Sequence, residues 1–87
     1  MRIRDGFVLQ PFGDQWVAVE LAEGKEQSAL VTLNKTGVFL WELFTRETTT
    51  QEAVNAMTER YQVDEAMAQR DVEQFLKIAE YYGLLEK

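Results

Sequence analysis

The chain has no cysteine and no histidine among its 87 residues. Disulfides, thiolate nucleophiles, imidazole bases and most transition-metal sites are excluded together. A lack of cysteine also fits a reducing compartment. There is one proline, and the five glycines are isolated, so no Gly-rich phosphate loop can be drawn. Ser28 is the only serine, and it has no histidine to activate it. Long apolar runs are missing too: Val38-Phe39-Leu40-Trp41 is far short of a membrane span. The opening Met1-Arg2-Ile3-Arg4-Asp5-Gly6 has no signal-peptide apolar core. The expectation is a soluble cytoplasmic protein without a cofactor. Lysine and arginine are outnumbered nine to fifteen, giving a net charge of −6. Such a surface repels nucleic acid and anionic lipid, and favours basic or neutral polypeptide partners.

What is present suffices for one domain. The hydrophobic fraction is 46% and the charged fraction 28%, ordinary values for a small folded chain. No repeat, linker or second domain is visible, so residues 1–87 read as a single unit.

The first third reads as strands. Phe7-Val8-Leu9-Gln10 runs into Pro11, which cannot donate to a ladder and belongs at a strand end or an edge. Phe12-Gly13-Asp14-Gln15 reads as a turn, and Trp16 to Leu21 as a returning strand rich in aromatic and β-branched residues. The polar stretch from Ala22 to Gln27 breaks the pattern, and Ser28 to Leu33 is a third strand.

The remainder reads as three helices. Asn34 is an N-cap for an almost wholly apolar helix from Thr36 to Phe44, in which Gly37 permits close approach to the sheet. Thr49 and Glu52 have capping-box spacing ahead of Val54, Met57 and Tyr61. After Gln62-Val63, Asp64 caps a helix from Glu65 to Tyr82, whose core face is Ala68, Val72, Phe75, Leu76, Ala79 and Tyr82. Gly83 closes it, and Leu84-Leu85 fold back onto the core. The class is α+β: a three-stranded antiparallel sheet, then a three-helix bundle, winged helix-turn-helix-like in order.

Two features exceed what a core needs. At 100° per residue, Met67, Asp71, Gln74 and Ile78 form a flank beside the last helix's core stripe, and Tyr81 continues it. This is either a widened core face or one wall of a groove. Ser28 to Leu33 has no charged residue, proline or glycine, the devices that normally guard an edge strand. It is either covered by another element or open to an incoming strand, from a peptide or from a second copy as a homodimer. Main-chain bonds alone would bind weakly. Each is worth about 0.5–1.5 kcal/mol net, ordering a peptide costs about 2–5 kcal/mol, and micromolar affinity needs about 8 kcal/mol. Side chains must therefore enter a pocket, and the Met67/Ile78 flank beside Phe75 could supply one.

Chemistry is otherwise thin. No pair of carboxylates sits in an apolar setting suited to acid–base work, and no calcium-loop spacing occurs, so no metal is expected. The helix-turn-helix order raises DNA binding. The second helix of that pair, however, carries Asp64, Glu65, Asp71, Glu73 and Glu80 against only Arg70 and Lys77. A major-groove reader is usually basic, so nucleic acid is disfavoured. An acidic winged-helix module for protein assembly or transcription is the alternative reading.

The run Leu33-Asn34-Lys35-Thr36-Gly37-Val38-Phe39-Leu40-Trp41-Glu42-Leu43-Phe44 resembles the "LNxTGxxLWELL" signature of the PqqD-like proteins, also called RiPP recognition elements. Phe44 stands where leucine is common. Tyr61-Gln62-Val63-Asp64 is similar to the family's "YxVD", Arg70 to Leu76 to its "xDVxxFL", and Gly83-Leu84-Leu85 to its ending. The resemblance implies a non-catalytic domain that binds the leader segment of a ribosomally made precursor peptide. It implies that the leader adds to the third strand beside the last helix, and that the domain presents it to a modifying enzyme or leader peptidase. Carried over, the cleft is lined by Ala29, Leu30, Val31 and Thr32 on one side, and by Met67, Asp71, Gln74, Phe75 and Ile78 on the other. Only one of the sets Ala29/Val31 and Leu30/Thr32 can face the leader's side. Asp71 has a structural reading as well, as a cap or ion-pair partner. Lasso peptide synthesis is the first expectation among pathways.

Overall fold

A computed structural model describes residues 1–21 and 28–86. The polar break expected from Ala22 to Gln27 lies outside the described residues. The elements are β1 (Arg2–Ile3), β2 (Phe7–Phe12), β3 (Gln15–Glu20), β4 (Ser28–Leu33), α1 (Lys35–Leu43), α2 (Thr50–Tyr61), α3 (Glu65–Tyr81) and β5 (Leu85–Glu86). The architecture is thus the α+β order of an antiparallel meander, β2-β3-β4, followed by three helices.

Local chemistry sets the element ends. The β2–β3 hairpin pairs Phe12 with Gln15, leaving a two-residue turn at Gly13-Asp14. Gly13 takes a φ of +64°, as the first central residue of a type II′ turn requires. The turn is tighter than the four residues expected, because β2 continues through Pro11. Proline is tolerated there because β2 is an edge strand.

Three caps match their sequence signals. The Gly37 N–H donates to Asn34 Oδ1 at 2.8 Å. Thr49 and Glu52 form the reciprocal capping box, at 3.1 and 3.0 Å. The Met67 N–H donates to Asp64 Oδ1 at 2.8 Å. α3 ends one residue earlier than expected, with Tyr82 as its cap. The Gly83 and Leu84 N–H groups then donate to the Glu80 and Ala79 carbonyls at 3.1 and 2.8 Å, a Schellman closure. This turn drives Leu84 into the core.

One pairing lies beyond the meander. β1 pairs antiparallel with β5, Arg2 opposite Glu86, and their side chains form an ion pair at 2.9 Å. The Ile3 N–H donates to the Phe44 carbonyl at 2.6 Å, which ties this ribbon to the end of α1. Strands of two residues carry no periodic signal, so the sequence offers no warning of them.

The core lies between the sheet and the helices. Ala18 and Leu33 from the meander meet Leu40, Trp41 and Phe44 of α1's end, Val54 and Met57 of α2, and Ala68, Val72, Phe75 and Ala79 of α3. The Phe44 and Phe75 rings stack with centroids 5.8 Å apart. Gly37 is buried, and a Cβ there would lie 3.2 Å from Leu33 Cβ, so α1 packs on β4 at glycine distance. Two residues expected on core faces lie partly outside: Tyr61 is half-exposed, edge-on to Phe39, and Tyr82 is half-exposed, edge-on to Tyr81.

Candidate functional site

β4 is the last strand of the meander, and among the described residues no strand pairs with its outer edge. Its pairing with β3 slips once. Ala18 faces Val31 but Val19 faces Ala29, so Leu30 is an extra residue, a β-bulge. Strict alternation therefore does not run the length of the strand, and the two alternating sets do not extend across it. Beyond the bulge the faces are clear. Val31 and Leu33 share the side of buried Ala18, while Thr32 is exposed on the side of Val17. Ala29 and Leu30 lie on the same strand toward its Ser28 end.

A cleft of about 610 Å³ opens beside the Leu33 end of β4. α3 contributes Asp71, Gln74 and Ile78 from the expected flank, together with Phe75 from its core face. Thr32 joins them from β4. Val31 lies outside this lining and is partly buried against the core. Met67 is also outside it, half-exposed one turn earlier on α3, and Tyr81 is almost fully exposed at the other end.

The sequence reading missed a third wall. The hairpin turn and the strand that follows it supply Asp14, Gln15 and Trp16, and the start of α1 supplies Asn34, Lys35, Thr36 and Gly37, with Leu40 as floor. Trp16 reaches the cleft because the register sets it opposite Leu33. The available signal was Trp16 standing two residues before Ala18 on one strand face, but only the cross-strand register reveals what that face meets.

The cleft is apolar below and polar at its rim. Asp14, Lys35 and Asp71 are its charged members. Asp71 is half-buried, and among the described residues its side chain makes no hydrogen bond or ion pair. The cap of α3 is Asp64. The dimensions suit an extended chain. The six residues of β4 span about 20 Å, and the stretch of α3 from Met67 to Tyr81 spans about 21 Å. Among the described residues no helix is long and apolar enough to cross a membrane, and no three acidic side chains converge as a metal site would need.

A three-stranded meander backed by three helices, with a cleft between its last strand and the last helix, defines a small α+β domain of known kind. The family profile described as coenzyme PQQ synthesis protein D (PqqD) matches residues 16–85. The chain belongs to that family. A solved structure described as "TbiB1 in Complex with the TbiA(beta) Leader Peptide" is similar across nearly the whole chain. It has a TM-score of 0.74 and 29% identity, and covers 99% of this chain and 95% of that one. No curated protein sequence matches this chain.

Proposed function

We propose that this protein is a RiPP recognition element without catalytic residues. It binds the leader segment of a ribosomally synthesised precursor peptide and presents it to a partner modifying enzyme or leader peptidase. The observation that carries this reading is an edge strand with no partner on its outer side among the described residues, bordered by an apolar cleft, in a fold shared with a protein captured with a leader peptide.

The leader adds as a strand along β4, its backbone completing the ladder that β3 begins. Alternate side chains enter the cleft over Phe75 and Ile78, which supplies the apolar burial that main-chain bonds lack. The peptide-binding set is Ala29, Leu30, Val31 and Thr32 with Met67, Asp71, Gln74, Phe75 and Ile78. Tethering the leader raises the effective concentration of the attached core segment at the partner enzyme. The likeness to a protein solved with a leader peptide supports a leader segment as the ligand; lasso peptide synthesis is the pathway proposed for it.

The test is calorimetric titration of the purified chain with the leader of the precursor encoded beside it. Binding tighter than about 1 mM is expected. Ile78→Asp should weaken it at least about tenfold with the thermal transition unchanged, because the side chain is half-buried at the cleft wall. Absence of binding by the intact chain, or an unaffected Ile78→Asp variant, would overturn the reading.

A further inference from the structure

Resting on the peptide-binding reading above, we infer that β1 is a positioning strap. Ile3, which lies outside the cleft, fixes the spacing of the α1 and α3 walls between which a peptide side chain must enter.

The two helical walls are short levers held from behind. Leu40 reaches the cleft four residues before Phe44, the cap of α1. Ile78 reaches it four residues before Tyr82, the cap of α3. At 1.5 Å per residue each arm is about 6 Å, little more than one turn of helix. So short an arm carries a displacement of its cap to the cleft almost undiminished.

β1 and the residue after it tie those two helix ends together. The Ile3 N–H donates to the Phe44 carbonyl at 2.6 Å, and the Arg4 N–H to the Leu84 carbonyl at 2.7 Å. The Arg4 guanidinium donates to the Gly83 carbonyl at 3.1 Å. Ahead of them the Met1 carbonyl accepts from the Thr48 N–H at 2.9 Å, which holds the α1–α2 connection as well. Ile3 also pairs with Leu85, and its side chain is buried in the core cluster that contains Phe44 and Leu84. It lines no part of the cleft. α1 and α3 do meet directly in the Phe44–Phe75 stack. Apolar contact is non-directional, however, and tolerates sliding, whereas hydrogen bonds fix distance and angle. The spacing of the walls is therefore set by the strap, and a cleft held at its working width binds without the cost of ordering it.

The experiment titrates the full chain and its variants with a synthetic leader of the precursor encoded beside it. Each titration is run well below the variant's thermal transition, where nearly every molecule is folded. There a residue that only stabilises the fold leaves Kd alone. Ile3→Ala loosens the strap's anchor and should raise Kd at least about fivefold. Ile3→Val, which keeps most of the anchor, should stay within about twofold. Val54→Ala is the control, because Val54 is as deeply buried but sits on α2, which does not line the cleft. It should lower the thermal transition and leave Kd within about twofold. Arg2 and Glu86 stand directly opposite in the ribbon, and the chain has no cysteine of its own. A disulfide formed in Arg2→Cys/Glu86→Cys should therefore restore the affinity of Ile3→Ala on oxidation. In the free proteins, the amide shifts of Leu40, Gln74 and Ile78 should move in Ile3→Ala and stay in place in Val54→Ala. An unchanged Kd in Ile3→Ala, unmoved shifts, or an equal loss of affinity in Val54→Ala would overturn the inference while leaving peptide binding in place. A wild type that binds no leader would overturn the peptide-binding reading, and the amide shifts alone would then decide the strap.

Discussion

The two edges of the meander are built differently, although both end the same sheet. β2 carries Pro11, which offers no N–H, and the Arg4 guanidinium lies 6.0 Å from the Phe7 ring centroid at its other end. β4 carries no proline, no glycine and no charged side chain along its six residues. Guarded edges resist unwanted pairing, and an unguarded one invites it. Location separates them further. The β4 edge ends in a cleft walled by α1, α3 and the hairpin, so a segment that pairs there can also bury side chains. A ladder without that shelf would gain only weak main-chain bonds. The contrast teaches that openness alone does not make a site; an edge becomes one when apolar surface stands within a side chain's reach.

This contrast can be broken from the core outward. Phe75 is both core and cleft floor: it is buried, stacks on Phe44 and lines the pocket. Phe75→Ala should destabilise the fold by about 3–5 kcal/mol in urea unfolding, and remove peptide binding with it. Phe7→Ala, on a half-buried ring of the guarded edge, should cost clearly less and spare binding. A smaller effect is expected at the β4–α1 contact. Gly37→Ala places a methyl 3.2 Å from Leu33 Cβ, so overpacking should cost about 1–3 kcal/mol, offset in part by the helix preference for alanine. Chemical shifts of the Leu33 and Asn34 amides should report the displaced end of β4.

The smallest effect tests the shelf argument directly. Pro11→Val restores an N–H to β2 and should change stability by less than about 1 kcal/mol, the span of strand propensity. Peptide affinity should stay within about twofold of wild type, because β2 gains a donor but no cleft. A second, equally tight binding event in calorimetry would refute the claim that apolar surface makes the difference.

Legibility followed the range of the interactions. The caps at Asn34, Thr49, Asp64 and Gly83 were readable because each acts within five residues of its own position. The flank of Asp71, Gln74 and Ile78 was readable because helical spacing is a local geometry. The β1–β5 ribbon, the bulge at Leu30 and the placement of Trp16 were not. Each depends on partners distant in sequence, and a one-residue slip in register leaves composition and periodicity untouched. Tyr82 illustrates the same limit in reverse: its spacing matched the core stripe, but the helix ended before it and left the ring half-exposed.

By itself the sequence determined the class of fold, the helix caps, the unguarded character of Ser28 to Leu33 and the flank of Asp71, Gln74 and Ile78 on α3. All of these follow from residue type and short-range geometry. Only the tertiary structure decided that β4 is outermost, that the flank stands beside its Leu33 end, and that the hairpin closes the cleft with Trp16. Those outcomes rest on strand register and on how closely Gly37 lets α1 approach the sheet, quantities that exist only once distant segments have packed.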